Sequence, residues 1–180
     1  DSMEGDRAVV EKFAATGIDF VVASSFSKNF ALYNERTGAL TIVSPSAEES
    51  AGAMSHVKKI IRVNYSNPPA HGGLAARTVL TDEALYAEWI EEVAGMRERI
   101  KAMRSAFVDG LKQRGVAQDF SFIVEQRGMF SFSGLSDEVV AWLREEKSIY
   151  IVKGGRINVA GLTTANIDYV CVAIAEALGA

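Results

Sequence analysis

Phe20-Val21-Val22-Ala23-Ser24-Ser25-Phe26-Ser27-Lys28-Asn29-Phe30-Ala31-Leu32-Tyr33-Asn34-Glu35-Arg36-Thr37-Gly38 is the stretch around which this chain is organised. Its first four residues have the β-branched content and length of a buried strand, so the hydroxyl cluster and Lys28 fall where a strand gives way to a loop. Open α/β sheets place their chemistry there. With Arg36 as a second cation in the same loop, Lys28 is a candidate Schiff-base nucleophile. Ser25, Ser27 and Arg36 are donor types that hold a phosphate, the guanidinium by a planar two-point contact.

Outward from that loop, composition sets the bounds. The chain has 180 residues, 48% of them apolar, enough for a real core in one or two domains. Its 19 basic and 23 acidic side chains are interspersed and leave a net charge of −4, without the basic block that a nucleic-acid tail or membrane-surface helix needs. No run of eighteen apolar residues occurs, and the acidic start Asp1-Ser2-Met3-Glu4-Gly5-Asp6 is unlike a signal peptide, so a cytoplasmic protein is expected. The single Cys171 lies in an apolar helical pattern and reads as a buried small hydrophobe.

Strand and helix signals alternate along the chain. Asp6 is the expected cap of a first helix through about Ala15, with Val9, Val10 and Phe13 on its inner side. Ala39–Val43 is a second apolar strand, and Ser46-Ala47-Glu48-Glu49 is a capping box opening a helix toward Ile61. That order predicts a largely parallel sheet. The two prolines and two glycines of residues 64–73 predict a fixed-shape loop. From Thr81-Asp82-Glu83 to Gly115 apolar residues recur at helical spacing, at Leu85, Trp89, Val93, Met96, Ile100, Met103, Phe107 and Leu111, roughly 45–50 Å of helix, which predicts a bridge between domains. Beyond it, alternation predicts strands at 120–124, 129–133, 149–152 and 156–159, with helices at 136–147 and 164–178. His56 and His71 have no second ligand at metal spacing, so no metal site is proposed.

A lysine and a phosphate cradle in one loop suggest pyridoxal phosphate. The run Ser25 to Gly38 resembles the cofactor-lysine segment of aspartate aminotransferases, pyridoxal-phosphate enzymes of fold type I. Three further segments resemble that family in the same order: Ile61-Arg62-Val63-Asn64-Tyr65-Ser66-Asn67-Pro68-Pro69-Ala70-His71-Gly72, Gly128-Met129-Phe130-Ser131-Phe132-Ser133-Gly134-Leu135, and Gly155-Arg156-Ile157-Asn158-Val159-Ala160-Gly161. The resemblance implies an α/β fold: residues 1–94 as the carboxy-terminal part of a large cofactor-binding domain with a mostly parallel sheet, residues 95–180 as a smaller α+β domain, joined by the long helix. It implies that Lys28 carries the Schiff base and moves the proton, and that Ser25, Ser27 and Arg36 bind the cofactor phosphate. Arg156 is implied to pair with the substrate α-carboxylate, and Arg62 to reach a neighbouring subunit's site for the side-chain carboxylate of a dicarboxylic substrate. Phe130 resembles an aromatic lining residue. Ala31 departs from the glycine that many relatives have there.

Relatives in the family are roughly twice this length, and the resemblance covers their carboxy-terminal half. Absent are the family's glycine-rich cofactor loop, the aromatic stacked on the pyridine ring, the aspartate at the ring nitrogen and the tyrosine at the phenolic oxygen. The expected function is transfer of an amino group between aspartate and 2-oxoglutarate by a homodimer whose sites lie at the subunit interface, with this chain as part of the complete enzyme. Two alternatives stay open: an aromatic amino acid aminotransferase, and a non-catalytic fragment retaining ligand residues by descent.

Overall fold

Phe20–Ser25 (β1) and Gly38–Val43 (β2) form a two-stranded antiparallel sheet, in register from Phe20 opposite Val43 to Ser25 opposite Gly38. The parallel arrangement predicted for this region is not what these residues make. Residues 26–37 contain turns and no helix, and a parallel return needs a crossover, usually helical, so the chain doubles back beside itself. Among the described residues there is no parallel strand pair. The structure, a computed structural model, describes residues 2–180 and divides into two compact units, one up to Val93 and one from Ala94 to Ala180.

In the first unit, α1 (Met3–Ala14) is capped by Ser2, whose side chain accepts from the Gly5 N–H, rather than by Asp6. Val9 and Phe13, expected to face inward, are exposed. α2 (Ala47–Tyr65) starts where the capping box predicts, with Ser46 Oγ accepting from the Glu49 N–H at 3.2 Å. The predicted loop at 64–73 is shorter than its composition suggests, because Pro69 caps a further helix, α3 (Ala70–Thr81). Proline punctuates a helix start as readily as a loop, since the first turn's N–H groups have no intrahelical acceptor. Among the described hydrophobic side chains of this unit only Ala76 and Trp89 are buried, while Ile60 and Val63 stand 66% and 86% exposed.

The long helix α4 (Glu83–Gln113) has 31 residues. Asp82 Oδ1 accepts from the Ala84 and Leu85 N–H groups at its start. The boundary between the units falls within it. In the second unit its Met103, Phe107 and Leu111 recur at four-residue spacing and enter one core with Phe120, Ile123, Leu143, Val159, Cys171 and Ile174. Burial pushes the Cys171 thiol from 9.0 up to about 11, as expected for a cysteine used as a hydrophobe.

The remaining elements wrap that core. Residues predicted as a strand at 120–124 form instead a short helix, α5 (Phe122–Glu125), because a four-residue stretch of aromatic and branched residues has no periodicity to separate the two. Phe130–Phe132 (β3) and Arg156–Asn158 (β4) pair antiparallel. α6 (Asp137–Lys147), capped by Ser136, packs on α7 (Ile167–Ala177), which starts three residues later than predicted. The predicted strand at 149–152 is reduced to a single bridge between Val152 and Arg156.

Candidate active site

The loop leaving β1 is closed at its base by the Phe26 N–H donating to Thr37 O at 3.0 Å. Glycine is required where it rejoins the sheet: a Cβ at Gly38 would collide with the backbone oxygen of Ser24. Within the loop Ser25 Oγ donates to Ser27 Oγ at 3.1 Å and accepts from the Ser27 N–H at 3.2 Å. Ser27 is buried, whereas Lys28 is exposed, with its Nζ 5.5 Å from the centre of the Tyr33 ring. Arg36 Nη1 donates to Tyr33 O at 2.8 Å. Ser25, Ser27, Lys28 and Arg36 therefore occupy one closed loop.

Two residues of that loop lie in the left-handed region, Ala31 at φ 54° and Arg36 at φ 53°. Alanine there does not keep the helical φ that would make it harmless, so the departure from glycine carries strain. Ala31→Gly is expected to raise stability by up to about 1 kcal/mol, the relief of strain partly offset by the freer unfolded chain. A urea titration checks this, and a lower midpoint for the variant would contradict it.

Trp89 pins the same loop from α4. Its Nε1 donates to Asn29 O at 2.7 Å, and its ring stacks on Phe30 with centroids 4.7 Å apart. Phe30 in turn meets Phe26 at 5.0 Å. The backbone on the carboxyl side of Lys28 is thus held by a bond and a stack. Sequence periodicity marked Trp89 only as a core position. The usable signal was that a buried indole seeks an acceptor for its N–H. His71, expected to be without a role, has its Nδ1 3.0 Å from Glu35 Oε2, and Gly72 beside it leaves no room for a Cβ against Thr37 and Glu35. The start of α3 therefore braces the turn that carries Arg36.

In the second unit, Arg156 opens β4 and its guanidinium lies 5.2 Å from the centre of the Phe130 ring on β3. Phe130 is 42% exposed, so its ring is not a core residue. Gly155 has φ 73°, and a Cβ there would meet Leu135 O at 2.9 Å. Fully buried Ser133 fixes that turn, its N–H and Oγ donating to Gly155 O at 2.9 and 2.7 Å. Arg156 and Phe130 are brought together. Arg62 lies on the last turn of α2, exposed, with Nη1 donating to Ser66 Oγ at 2.7 Å.

Among the described residues, no three His, Cys, Asp or Glu side chains gather as a metal site, and no helix is long and apolar enough to cross a membrane. The family model for aminotransferase class I and II matches residues 2–174. An aspartate aminotransferase of Haemophilus influenzae is 53% identical over 99% of this chain and 45% of its own length. The cytoplasmic aspartate aminotransferase of Oryza sativa subsp. japonica is 42% identical over 98% of the chain and 44% of its own. Among solved structures, an aromatic-amino-acid aminotransferase from Burkholderia pseudomallei, covalently bound to pyridoxal phosphate, superposes with a TM-score of 0.95 at 52% identity, over 99% of this chain and 45% of that one. The chain spans a little under half the length of the curated relatives it matches.

Proposed function

Since the chain belongs to the class I and II aminotransferases, we propose that it is the lysine-bearing part of a longer pyridoxal-phosphate enzyme that moves an amino group between aspartate and 2-oxoglutarate. The observation that carries this is the one closed loop that contains Ser25, Ser27, Lys28 and Arg36, pinned by Trp89. The unit up to Val93 is part of the cofactor-binding domain, and the unit from Ala94 is the small domain. Exposed Val21, Leu40, Ile60 and Val63 are surfaces that the remainder of the enzyme or a second subunit of a homodimer covers. The location is cytoplasmic.

The residues present fit the cofactor at its two handles. Two hydroxyls 3.1 Å apart and a guanidinium make a donor set for a phosphate, and an exposed primary amine lies in the same loop. Residues that would address the pyridine ring are not among these four. When bound, pyridoxal phosphate supplies a carbonyl for amine capture and a conjugated ring that spreads negative charge. Ser25, Ser27 and Arg36 anchor the phosphate. Lys28 Nζ would hold the cofactor at its carbonyl and would carry the proton exchanged at the substrate Cα. Arg156 takes the α-carboxylate of the amino acid or oxo acid, with Phe130 limiting how its guanidinium turns. Arg62, donated across the dimer, takes the second carboxylate.

Arg62→Ala in the complete enzyme is expected to raise KM for aspartate and 2-oxoglutarate about tenfold or more, while aromatic substrates change by about twofold or less. Steady-state kinetics with both substrate classes check it, and equal losses would remove Arg62 from the site. A second reading, an aromatic amino acid aminotransferase, is favoured by the open face of Phe130 and by the 52% identity to the Burkholderia enzyme. The same kinetics decide between them through the ratio of kcat/KM values.

A further inference from the structure

Arg104 is the most unusual ionisable group in the second unit. It lies on the core face of α4 between Met103 and Phe107, is only 2% exposed, and has no carboxylate among its hydrogen-bond partners. Burial, and then the charge of Arg127, lower its pKa. A buried cation persists only where good acceptors replace water. Here they all come from one segment: Nη1 donates to Ile123 O at 3.0 Å and to Ser131 Oγ, and Nη2 donates to Gly128 O at 2.7 Å and Phe130 O at 3.1 Å. Nε is buried without a partner.

The geometry of those acceptors says what the cation is for. A hydrophobic residue would fill the space at lower desolvation cost, but could not tie down three carbonyls and a hydroxyl. The planar fork spans residues 123–131, the approach to β3 and its first two residues. Phe130 is one of the two residues β3 contributes at its start, its carbonyl is gripped directly, and its ring lies under Arg156. Ser131, gripped through Oγ, faces Ile157 in the register, next to Arg156. A second arginine of the same helix grips the far side of β4: Arg99 donates to Ala160 O at 2.8 Å and Leu162 O at 2.9 Å.

We propose that Arg104 is a positioning residue for carboxylate recognition, its buried guanidinium setting the β3 backbone so that Phe130 holds Arg156 in the orientation that receives a substrate carboxylate. This rests on the reading of Arg156 as the carboxylate ligand. Arg104 itself touches no substrate. Charge alone does not suffice for this role, so Arg104→Lys, which keeps the charge but not the planar fork, impairs it.

The test measures succinate, a non-reacting dicarboxylate, binding to the complete holoenzyme by isothermal titration. Cofactor content is followed by absorbance and the thermal midpoint separately. Arg104→Lys is expected to weaken succinate about tenfold, the scale of a misaligned recognition group, with cofactor content unchanged. In an Arg156→Ala background the same substitution is expected to cost nothing further. Full additivity would make Arg104 a general structural residue and overturn the proposal. Where Arg104→Lys does not fold, Ser131→Ala removes one acceptor at the same guanidinium and is expected to weaken succinate about threefold, again only while Arg156 is present. Unchanged affinity in Ser131→Ala and Arg104→Lys, with Arg156→Ala impaired, overturns the positioning role alone. Unchanged affinity in Arg156→Ala overturns the functional reading and this inference with it.

Discussion

Lys28→Ala is expected to lower kcat of the complete enzyme by about ten-thousand-fold or more, because one substitution removes the group proposed both to bind the cofactor carbonyl and to carry the Cα proton. Each role alone is worth orders of magnitude, and no second lysine lies in the loop to substitute for it. The fold is expected to survive. Lys28 is exposed and its side-chain contact with Tyr33 is at the surface, where a substitution shifts stability by about 0.5 kcal/mol or less. Single-turnover absorbance after mixing with aspartate is the measurement, alongside a thermal midpoint. A loss below about tenfold, with the midpoint unchanged, would show that Lys28 does not perform these steps.

The largest effect on stability is expected at Phe107. It is 1% exposed on α4 and meets Phe120 edge to face with centroids 6.1 Å apart. Phe107→Ala removes a ring and leaves a cavity that buried neighbours cannot fill, a cost of about 3–5 kcal/mol. Domains are stable by only about 5–15 kcal/mol in total, so the second unit should lose a substantial part of its margin. The midpoint of urea unfolding should fall with the slope unchanged. Val63→Ala serves as the counterpart: at 86% exposure, it should move stability by about 0.5 kcal/mol or less in this chain. Comparable losses at the two positions would mean that the core does not centre on α4.

The contrast between those two positions shows what periodicity can reveal. Met103, Phe107 and Leu111 were legible because one helix face meets one core, and the 3.6-residue repeat records that directly. Val21 and Val22 were read as a buried strand, yet Val21 is 61% exposed, because an apolar strand states that it needs cover without stating what supplies it. The pairing direction of β1 and β2 was illegible for a related reason. Strand signals at 20–24 and 39–43 were sound, but direction depends on the path of residues 26–37, which a list of strands and helices does not contain. Phe122–Glu125 was read wrongly because four residues are too few to show a period.

By itself the sequence determined the chemistry of the lysine loop. Lys28, its hydroxyl and arginine neighbours, the glycine closing the loop and the motif order are local facts, set by residue type and spacing, and they suffice for the family and the cofactor expectation. Only the tertiary structure decided what holds those groups still. Trp89 reaches Asn29 across sixty positions of sequence, and Arg104 reaches the β3 approach across nineteen to twenty-seven. It also decided that Ala31 sits at positive φ and that Phe130 lies beneath Arg156. Such contacts join residues distant in sequence through directional bonds, and neither hydrophobic period nor motif spacing carries information about direction.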